Sequence, residues 1–389
     1  MSDSKIYLDN NSTTMVDPRV LQAMEPFFTR QYGNPNSLHS FGTEVHPEMG
    51  IALDRLYKGI EASDKDDIII NGCATEGNNT VLKGIYFSSI RESQKKQIIT
   101  TPVEHPSVAN TCDFLETLGA EIIRLPLNSS GVVDPDTLKK LIDPDKTALV
   151  SIMWANNETG LINPMKELAG ICRDNNVLFH TDAVQAIGKV PVSVKEVPVD
   201  YLTFSAHKFH GPKGIGGLYV RNGRSLPPLL HGGEQMGGFR AGTVNVAYFI
   251  GMGLAMELAT EYLPYEETRV RALRDKLENA LLAIPDTQII GANALRTPNT
   301  ILTSFKGIEG EAFIWDLNQK GIAASTGSAC SSEDLEPNAT FKAMSLDNNL
   351  AHTGVRFSLS RYTTEEEIDT AINVIESAVN RLRAISSVY

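Results

Sequence analysis

The sequence predicts an α/β fold with a mostly parallel sheet, on three observations. Short β-branched runs recur between about residues 66 and 220. Helix-length amphipathic stretches separate them, the spacing of βαβ units. Several runs lack in-and-out alternation, as strands covered on both faces do. In chain order the runs are Asp67–Ile70, Gln97–Thr100, Glu121–Leu125, Ala148–Met153, Val177–His180 and Tyr201–Phe204.

The tail reads differently. From about Pro264 the chain predicts a long charged helix, Arg269 to Leu282, then short strands and further helices. Thr364-Glu365-Glu366-Glu367 is a capping-box start. Behind it Ile368, Ala371, Ile372, Ile375, Val379 and Leu382 repeat at helical spacing, a stripe that belongs in a core. A domain boundary is placed near residue 260, inside a helical stretch and without a Pro/Gly linker. No solenoid-period repeat or low-complexity tract interrupts the pattern.

Composition excludes several classes. At 389 residues, 42% hydrophobic and 21% charged, the chain is ordinary globular material for two to three domains. Its 47 acidic and 35 basic residues give a net charge of −12, which argues against non-specific binding to nucleic acid. No apolar run has the length of a membrane helix, and Met1-Ser2-Asp3-Ser4-Lys5 is no leader; a soluble, cytoplasmic protein is expected. The four cysteines, Cys73, Cys112, Cys172 and Cys330, are far apart and never form a CxxC pair. That speaks against a disulfide scaffold or zinc ribbon, and for one reactive thiol if any has a role.

Ligands of open α/β sheets bind beyond the carboxyl ends of the strands. After Ile70 comes Asn71-Gly72-Cys73-Ala74-Thr75-Glu76-Gly77-Asn78-Asn79, small residues opening a helix. Such a turn either simply caps the helix or lets N–H groups and the Thr75 hydroxyl converge on an anion. After Phe179 comes His180-Thr181-Asp182-Ala183-Val184-Gln185. Asp182 there is a helix cap or the partner of a buried protonated ring nitrogen, because a carboxylate among apolar neighbours is costly without a cation. After Phe204 comes Ser205-Ala206-His207-Lys208, then a glycine-rich run to Gly217. A lysine at the inner end of a buried strand suits a nucleophilic, Schiff-base amine; Lys213, in the turn, is expected to be exposed. An anion loop, a carboxylate and an amine at three strand ends together suit pyridoxal phosphate.

Other positions add to this set. His105, in Thr101-Pro102-Val103-Glu104-His105-Pro106, could stack on a ring, move protons or be structural. Asn156 and Asn157 could hold a phenolic oxygen or a substrate carboxylate, or form a turn. Val355, Phe357 and Leu359 alternate with Arg356, Ser358 and Ser360, so Arg356 is a strand-borne fork suited either to a carboxylate or to a surface ion pair. Cys330 follows Ser325-Thr326-Gly327-Ser328-Ala329, neighbours with no apolar cover. It is expected on a mobile, exposed loop and to be reactive, with the other three cysteines structural.

Ser205-Ala206-His207-Lys208 with Gly211-Pro212-Lys213-Gly214, His180 to Gln185, and Ser325 to Cys330 resemble the cysteine desulfurases of the NifS/IscS type, in the class V aminotransferase family. Tyr7 to Thr14 and Tyr32 to His39 resemble its N-terminal signatures, and the likeness runs from about residue 5 to the C-terminus. The resemblance implies the type I PLP fold: a mostly parallel, seven-stranded-type large domain (15–260) and a smaller α/β domain (1–14 and 261–389) carrying the Cys330 loop. It implies Lys208 as the Schiff-base lysine, Asp182 on the pyridine nitrogen and Gln185 on the phenolic oxygen. Ala74, Thr75, Ser205 and His207 would hold the phosphate, and Thr243 would reach the phosphate of the other subunit of a homodimer. His105 would stack on the ring and serve in proton transfer, and Asn157 and Arg356 would hold the substrate carboxylate. Cys330 would carry sulfur from L-cysteine as a persulfide, pass it to an iron–sulfur scaffold protein of the NifU/IscU kind, and be a possible iron–sulfur ligand during transfer. Departures from the family pattern, Ser12 for a common Ala and His231-Gly232-Gly233-Glu234-Gln235, are expected to leave the chemistry untouched. The rival readings are a plain aminotransferase or selenocysteine lyase, and a non-catalytic sulfur-trafficking subunit.

Overall fold

The structure, a computed structural model, describes residues 5–326, 339–344, 350 and 352–386. Its strands are β1 (Ile6–Tyr7), β2 (Asp67–Asn71), β3 (Gln97–Thr100), β4 (Glu121–Arg124), β5 (Thr147–Ser151), β6 (Leu178–Asp182), β7 (Tyr201–Ser205), β8 (Gly216–Val220), β9 (Thr287–Ile289), β10 (Thr300–Phe305), β11 (Ile322–Ala323) and β12 (Gly354–Ser358). Seven form one sheet in the order β2-β8-β7-β6-β5-β3-β4. Only β8 runs against its neighbours; the other pairings are parallel. The six runs marked in the sequence are six of these strands.

The seventh, β8, carries no such mark, because Gly216 and Gly217 take the place of β-branched residues. The packing requires glycine there: a Cβ on Gly217 would lie 2.2 Å from the ring of Phe204 on β7.

Strand alternation sends Ile68, Ile70, Phe179, Leu202 and Phe204 to one face and Ile69, Ile98, Leu149 and Tyr201 to the other. The first face is covered by helices including His46–Gly59 and Val246–Glu261, the second by Ala74–Ile85 and Pro106–Thr117. A fully covered strand needs no polar face, which is why the runs read as continuously apolar.

A separate core gathers Ile6 and Leu8 with residues 270–379, around the sheet β12-β10-β9. The C-terminal helix, Glu365–Ile385, opens on the predicted capping box: Glu367 N–H donates to Thr364 Oγ1 at 3.2 Å and Thr364 N–H to Glu367 Oε2 at 2.8 Å. Ile368, Ala371, Ile375 and Val379 of its stripe are buried, with Ile372 and Leu382 at the margin. The charged helix starts slightly later than its composition suggests, at Arg271, because Glu266–Val270 forms a wider π turn.

The N-terminal segment ties the two cores together. β1 pairs in parallel with β11, and Ser358 N–H donates to Leu8 O at 2.8 Å. Six residues on, Thr14 N–H donates to His207 O at 2.9 Å, just past the end of β7. Asp17 anchors the far end: its carboxylate accepts from Arg19, Arg361 and Tyr362 at 2.7, 2.9 and 2.7 Å. Burial opposes its charge, but these donors more than offset that and hold the carboxyl well below the usual range. The linkage therefore stabilises the fold above the ordinary aspartate pKa and is lost only in strong acid. Asp17→Asn should cost about 3–5 kcal/mol at neutral pH, since it leaves Arg361 buried without its counter-charge. A urea midpoint unchanged from the parent would show that the clamp contributes nothing.

Candidate active site

Because β2, β3, β5, β6 and β7 point the same way, their carboxyl ends share one edge of the sheet. Asp182 is the last residue of β6 and Ser205 the last of the adjacent β7; Lys208 closes the short 3-10 turn Ala206–Lys208. Lys208 Nζ donates to Asn11 O at 2.7 Å and Ser12 O at 2.8 Å, so the N-terminal segment aims the amine. Lys213 is exposed.

Asp182 is buried and accepts at Oδ2 from Asn78 Nδ2 (2.8 Å) and at Oδ1 from Val184 N–H (3.0 Å). His105 caps the helix Pro106–Thr117 by accepting from Ser107 N–H at 3.1 Å. Burial pushes this imidazole below its usual pKa; the Asp182 carboxylate pulls it back up and the Lys208 ammonium adds to the lowering. One ring thus feels both the carboxylate and the amine. Glu104, fully buried beside it, is held up to about 8 by burial and is a neutral acid at pH 7.

The opposite wall comes from the second core. Arg356 on β12 donates from Nη1 to Asn157 O at 2.9 Å and from Nη2 to Asp9 Oδ1 at 2.8 Å and Ser12 Oγ at 2.7 Å. Asn11 Nδ2 donates to the same Asn157 carbonyl at 3.1 Å. Gln185 Nε2 donates to Asn11 O at 3.0 Å, beside the Lys208 contact. Lys208, Gln185, Asn157 and Arg356 therefore converge on residues 11–12. His207 Nδ1 lies 3.1 Å from Thr13 Oγ1, and burial, with Lys208, Lys213 and Lys189, lowers its pKa to about 4.

These residues fit pyridoxal phosphate. Ser205 Oγ is buried without a partner among the described residues, an orphan that a phosphate oxygen would satisfy. The helix Ala74–Ile85 begins at buried Ala74 with no side-chain cap, leaving N–H groups for an anion. Exposed Thr75 and half-buried His105 line one cavity of about 470 Å³. Thr243 is not brought to Lys208; it is exposed and lines a separate cavity of about 210 Å³ with Gly72. Cys330 lies outside the described residues. Among those residues no group of three or more His, Cys, Asp and Glu is placed to hold a metal ion.

One expectation is corrected. Ser12 does touch the site: its Oγ accepts from Arg356 and donates to Asp9 Oδ1 at 2.8 Å, and its carbonyl accepts from Lys208. Asn11, Asn78 and Lys189 join the site without a role expected from the sequence. Lys189 is fully buried and donates to Gln185 Oε1 and Asn11 Oδ1, while burial and the nearby Lys208 push its pKa well down. Its signal was available: Lys189 falls one helical turn after Gln185, in the apolar run Ala186-Ile187-Gly188-Lys189-Val190.

A family model described as Aminotransferase class-V matches residues 6–370. The chain is 46% identical over 383 residues to cysteine desulfurase NifS of Azotobacter vinelandii, covering 98% of this chain and 94% of the relative. It is 45% identical over 383 residues to cysteine desulfurase IscS of Dictyoglomus turgidum, with 98% and 96% covered. A solved structure titled NifS-like protein superposes with a TM-score of 0.91 at 40% identity, over 97% of this chain and all of the other.

Proposed function

This chain belongs to the class-V aminotransferase family, and from that premise we propose how its residues divide the work of the family's chemistry. It is a pyridoxal-phosphate-dependent cysteine desulfurase of type I PLP fold, removing sulfur from L-cysteine to leave L-alanine. The observation that carries the assignment is the placing of Asp182 at the end of β6 and Lys208 in the turn after the adjacent parallel β7, with His105 feeling both charges.

When bound, pyridoxal phosphate supplies an aldehyde that joins amines and a ring that draws electrons from the substrate α-carbon. Lys208 would hold that aldehyde, and Lys208 or His105 would serve as base for the α-proton. Asp182, fixed by Asn78 and Val184, keeps the ring nitrogen protonated, and Gln185 donates to the phenolic oxygen. Ala74, Thr75, Ser205 and His207 hold the phosphate, and Thr243 reaches the partner subunit's phosphate in a homodimer. Arg356, whose Nε is buried and unpartnered among the described residues, receives the substrate carboxylate with Asn157.

The thiolate of Cys330 attacks the substrate sulfur. The new S–S bond forms as the C–S bond breaks, the C–S electron pair returns to carbon, and that carbon takes a proton as alanine leaves. Ser325, five positions before Cys330 in the sequence, pairs with Arg356: Ser325 N–H donates to Arg356 O at 3.2 Å and Arg356 N–H to Ser325 O at 2.6 Å. The 1–14 plus 261–389 division from 15–260 is supported by the separate core around residues 270–379 and the β1–β11 pairing.

The acceptor we assign is an iron–sulfur scaffold protein of the NifU/IscU kind, with Cys330 as a transient iron–sulfur ligand and the setting cytoplasmic; among the described residues no helix is long and apolar enough to cross a membrane. The direct test incubates the protein with L-cysteine and a reductant. Sulfide and alanine should appear in equal amounts, and adding the scaffold in place of reductant should leave sulfur on the scaffold by intact mass. Alanine without sulfide or sulfur-loaded scaffold would overturn the transfer. Ser12→Ala should raise KM for cysteine roughly 2- to 5-fold with kcat little changed, the loss of one hydrogen bond steadying Arg356. An unchanged KM would show that Asp9 and Asn157 hold the guanidinium alone.

A further inference from the structure

We propose that Asn78 and Ser107 are positioning residues that hold His105 as one neutral tautomer, with its ring proton on Nε2, so that His105 meets the bound substrate as an N–H donor and Lys208 alone takes the α-proton. Asn78 is buried, and its amide is oriented without ambiguity: Asp182 Oδ2 can only accept, so Nδ2 faces it at 2.8 Å, while Oδ1 accepts from Thr203 Oγ1. The second N–H of Asn78 goes to Ser107 Oγ at 2.8 Å. With its oxygen receiving that bond, the Ser107 hydroxyl proton is free for His105 Nδ1, also 2.8 Å away. Ser107 N–H reaches the same nitrogen at 3.1 Å. Two donors therefore converge on Nδ1, which has no room for a proton of its own. Among the described residues Nε2 has no protein partner, and His105 lines the cavity of about 470 Å³.

The charged groups around the ring agree with a neutral imidazole. Asp182 faces it from the end of β6, Lys208 from the turn after β7, and Lys83 across the cavity from the helix Ala74–Ile85. Glu104, next in the chain, is uncharged at neutral pH. One amide thus serves both ends of the site, bracing the acid meant for the ring nitrogen and, through Ser107, the imidazole.

The proposal rests on the cofactor-site reading above, but its test does not depend on turnover. In full-length, cofactor-loaded protein labelled with ¹⁵N-histidine, the His105 ring is assigned by its absence in His105→Gln and followed against pH. A bare Nδ1 and a protonated Nε2 at neutral pH are expected. Ser107→Ala should raise the His105 midpoint by roughly 0.5–1 pH unit, the size of one net hydrogen bond, with Asn78→Ala moving it the same way and Ser107→Thr restoring it. The acid limb of kcat/KM should move with the midpoint, whereas a merely structural role would lower activity at every pH. A proton on Nδ1 in the parent protein, an imidazolium at neutral pH, or a midpoint unmoved in Ser107→Ala would overturn it. Sulfide release from the same sample separates failure of this inference from failure of the desulfurase assignment.

Discussion

Lys208→Ala is expected to lower turnover of cysteine by roughly 10³-fold or more, because one change removes both the proposed covalent anchor and the proposed base. The cleanest readout is chemical. After borohydride reduction, the parent chain should retain the mass of the cofactor on the peptide that contains Lys208, and the variant should not. The variant has a second, independent signature. Lys208 lowers the pKa of His105 and of His207, so its removal should move both imidazoles upward, and the ¹⁵N titration reads the shift. Asn11 O keeps Gln185 Nε2 as a donor and the part-buried Ser12 O loses Lys208, so the stability lost is that of one net hydrogen bond, about 0.5–1.5 kcal/mol. Cofactor mass that stays on the chain at Lys189, which is buried one hydrogen bond from Gln185, would show that the wrong amine has been named.

What the sequence makes legible follows from how local each signal is. Six strands could be read because a strand covered on both faces must be apolar throughout, and β-branched residues satisfy that within the strand itself. β8 could not, because its glycines answer to Phe204 on the neighbouring strand, a contact that no local pattern records. The same split runs through the site. Asp182, Ser205 and Lys208 declare themselves as polar groups abruptly ending apolar runs. Asn11 and Ser12 do not: they act through backbone carbonyls as well as side chains, and only folding brings them under a lysine almost two hundred residues away. Asn78 sits in a stretch already read as a turn opening a helix. Nothing in that stretch says that its amide points into the sheet toward Asp182. Ser12 teaches the same point from the other side, since a change from a family's usual small residue looks idle until its hydroxyl is seen on Arg356.

Cys330→Ala should bring sulfide release down to background while leaving cofactor binding and the lysine linkage intact, separating carbon chemistry from sulfur chemistry in one chain. Only a thiolate is an adequate nucleophile toward the substrate sulfur, and alanine at that position offers none. Cys330→Ser is the stricter version, because it keeps the size and polarity of the side chain and removes only the sulfur. The parent chain, quenched after cysteine and digested, should carry one extra sulfur on the Cys330 peptide, and both variants should lack it. The competing acceptors within the chain are few. Cys112 and Cys172 are buried, and burial pushes both thiols up, Cys112 to about 12, so neither is a thiolate at neutral pH. That leaves Cys73, half-buried where β2 meets the helix Ala74–Ile85, beside the Ala74 and Thr75 proposed for the phosphate. Undiminished sulfide from Cys330→Ala would therefore shift the sulfur-accepting role to Cys73, and the double variant would decide it. Sulfide lost from Cys330→Ala with the Lys208 linkage intact would assign the sulfur step to Cys330.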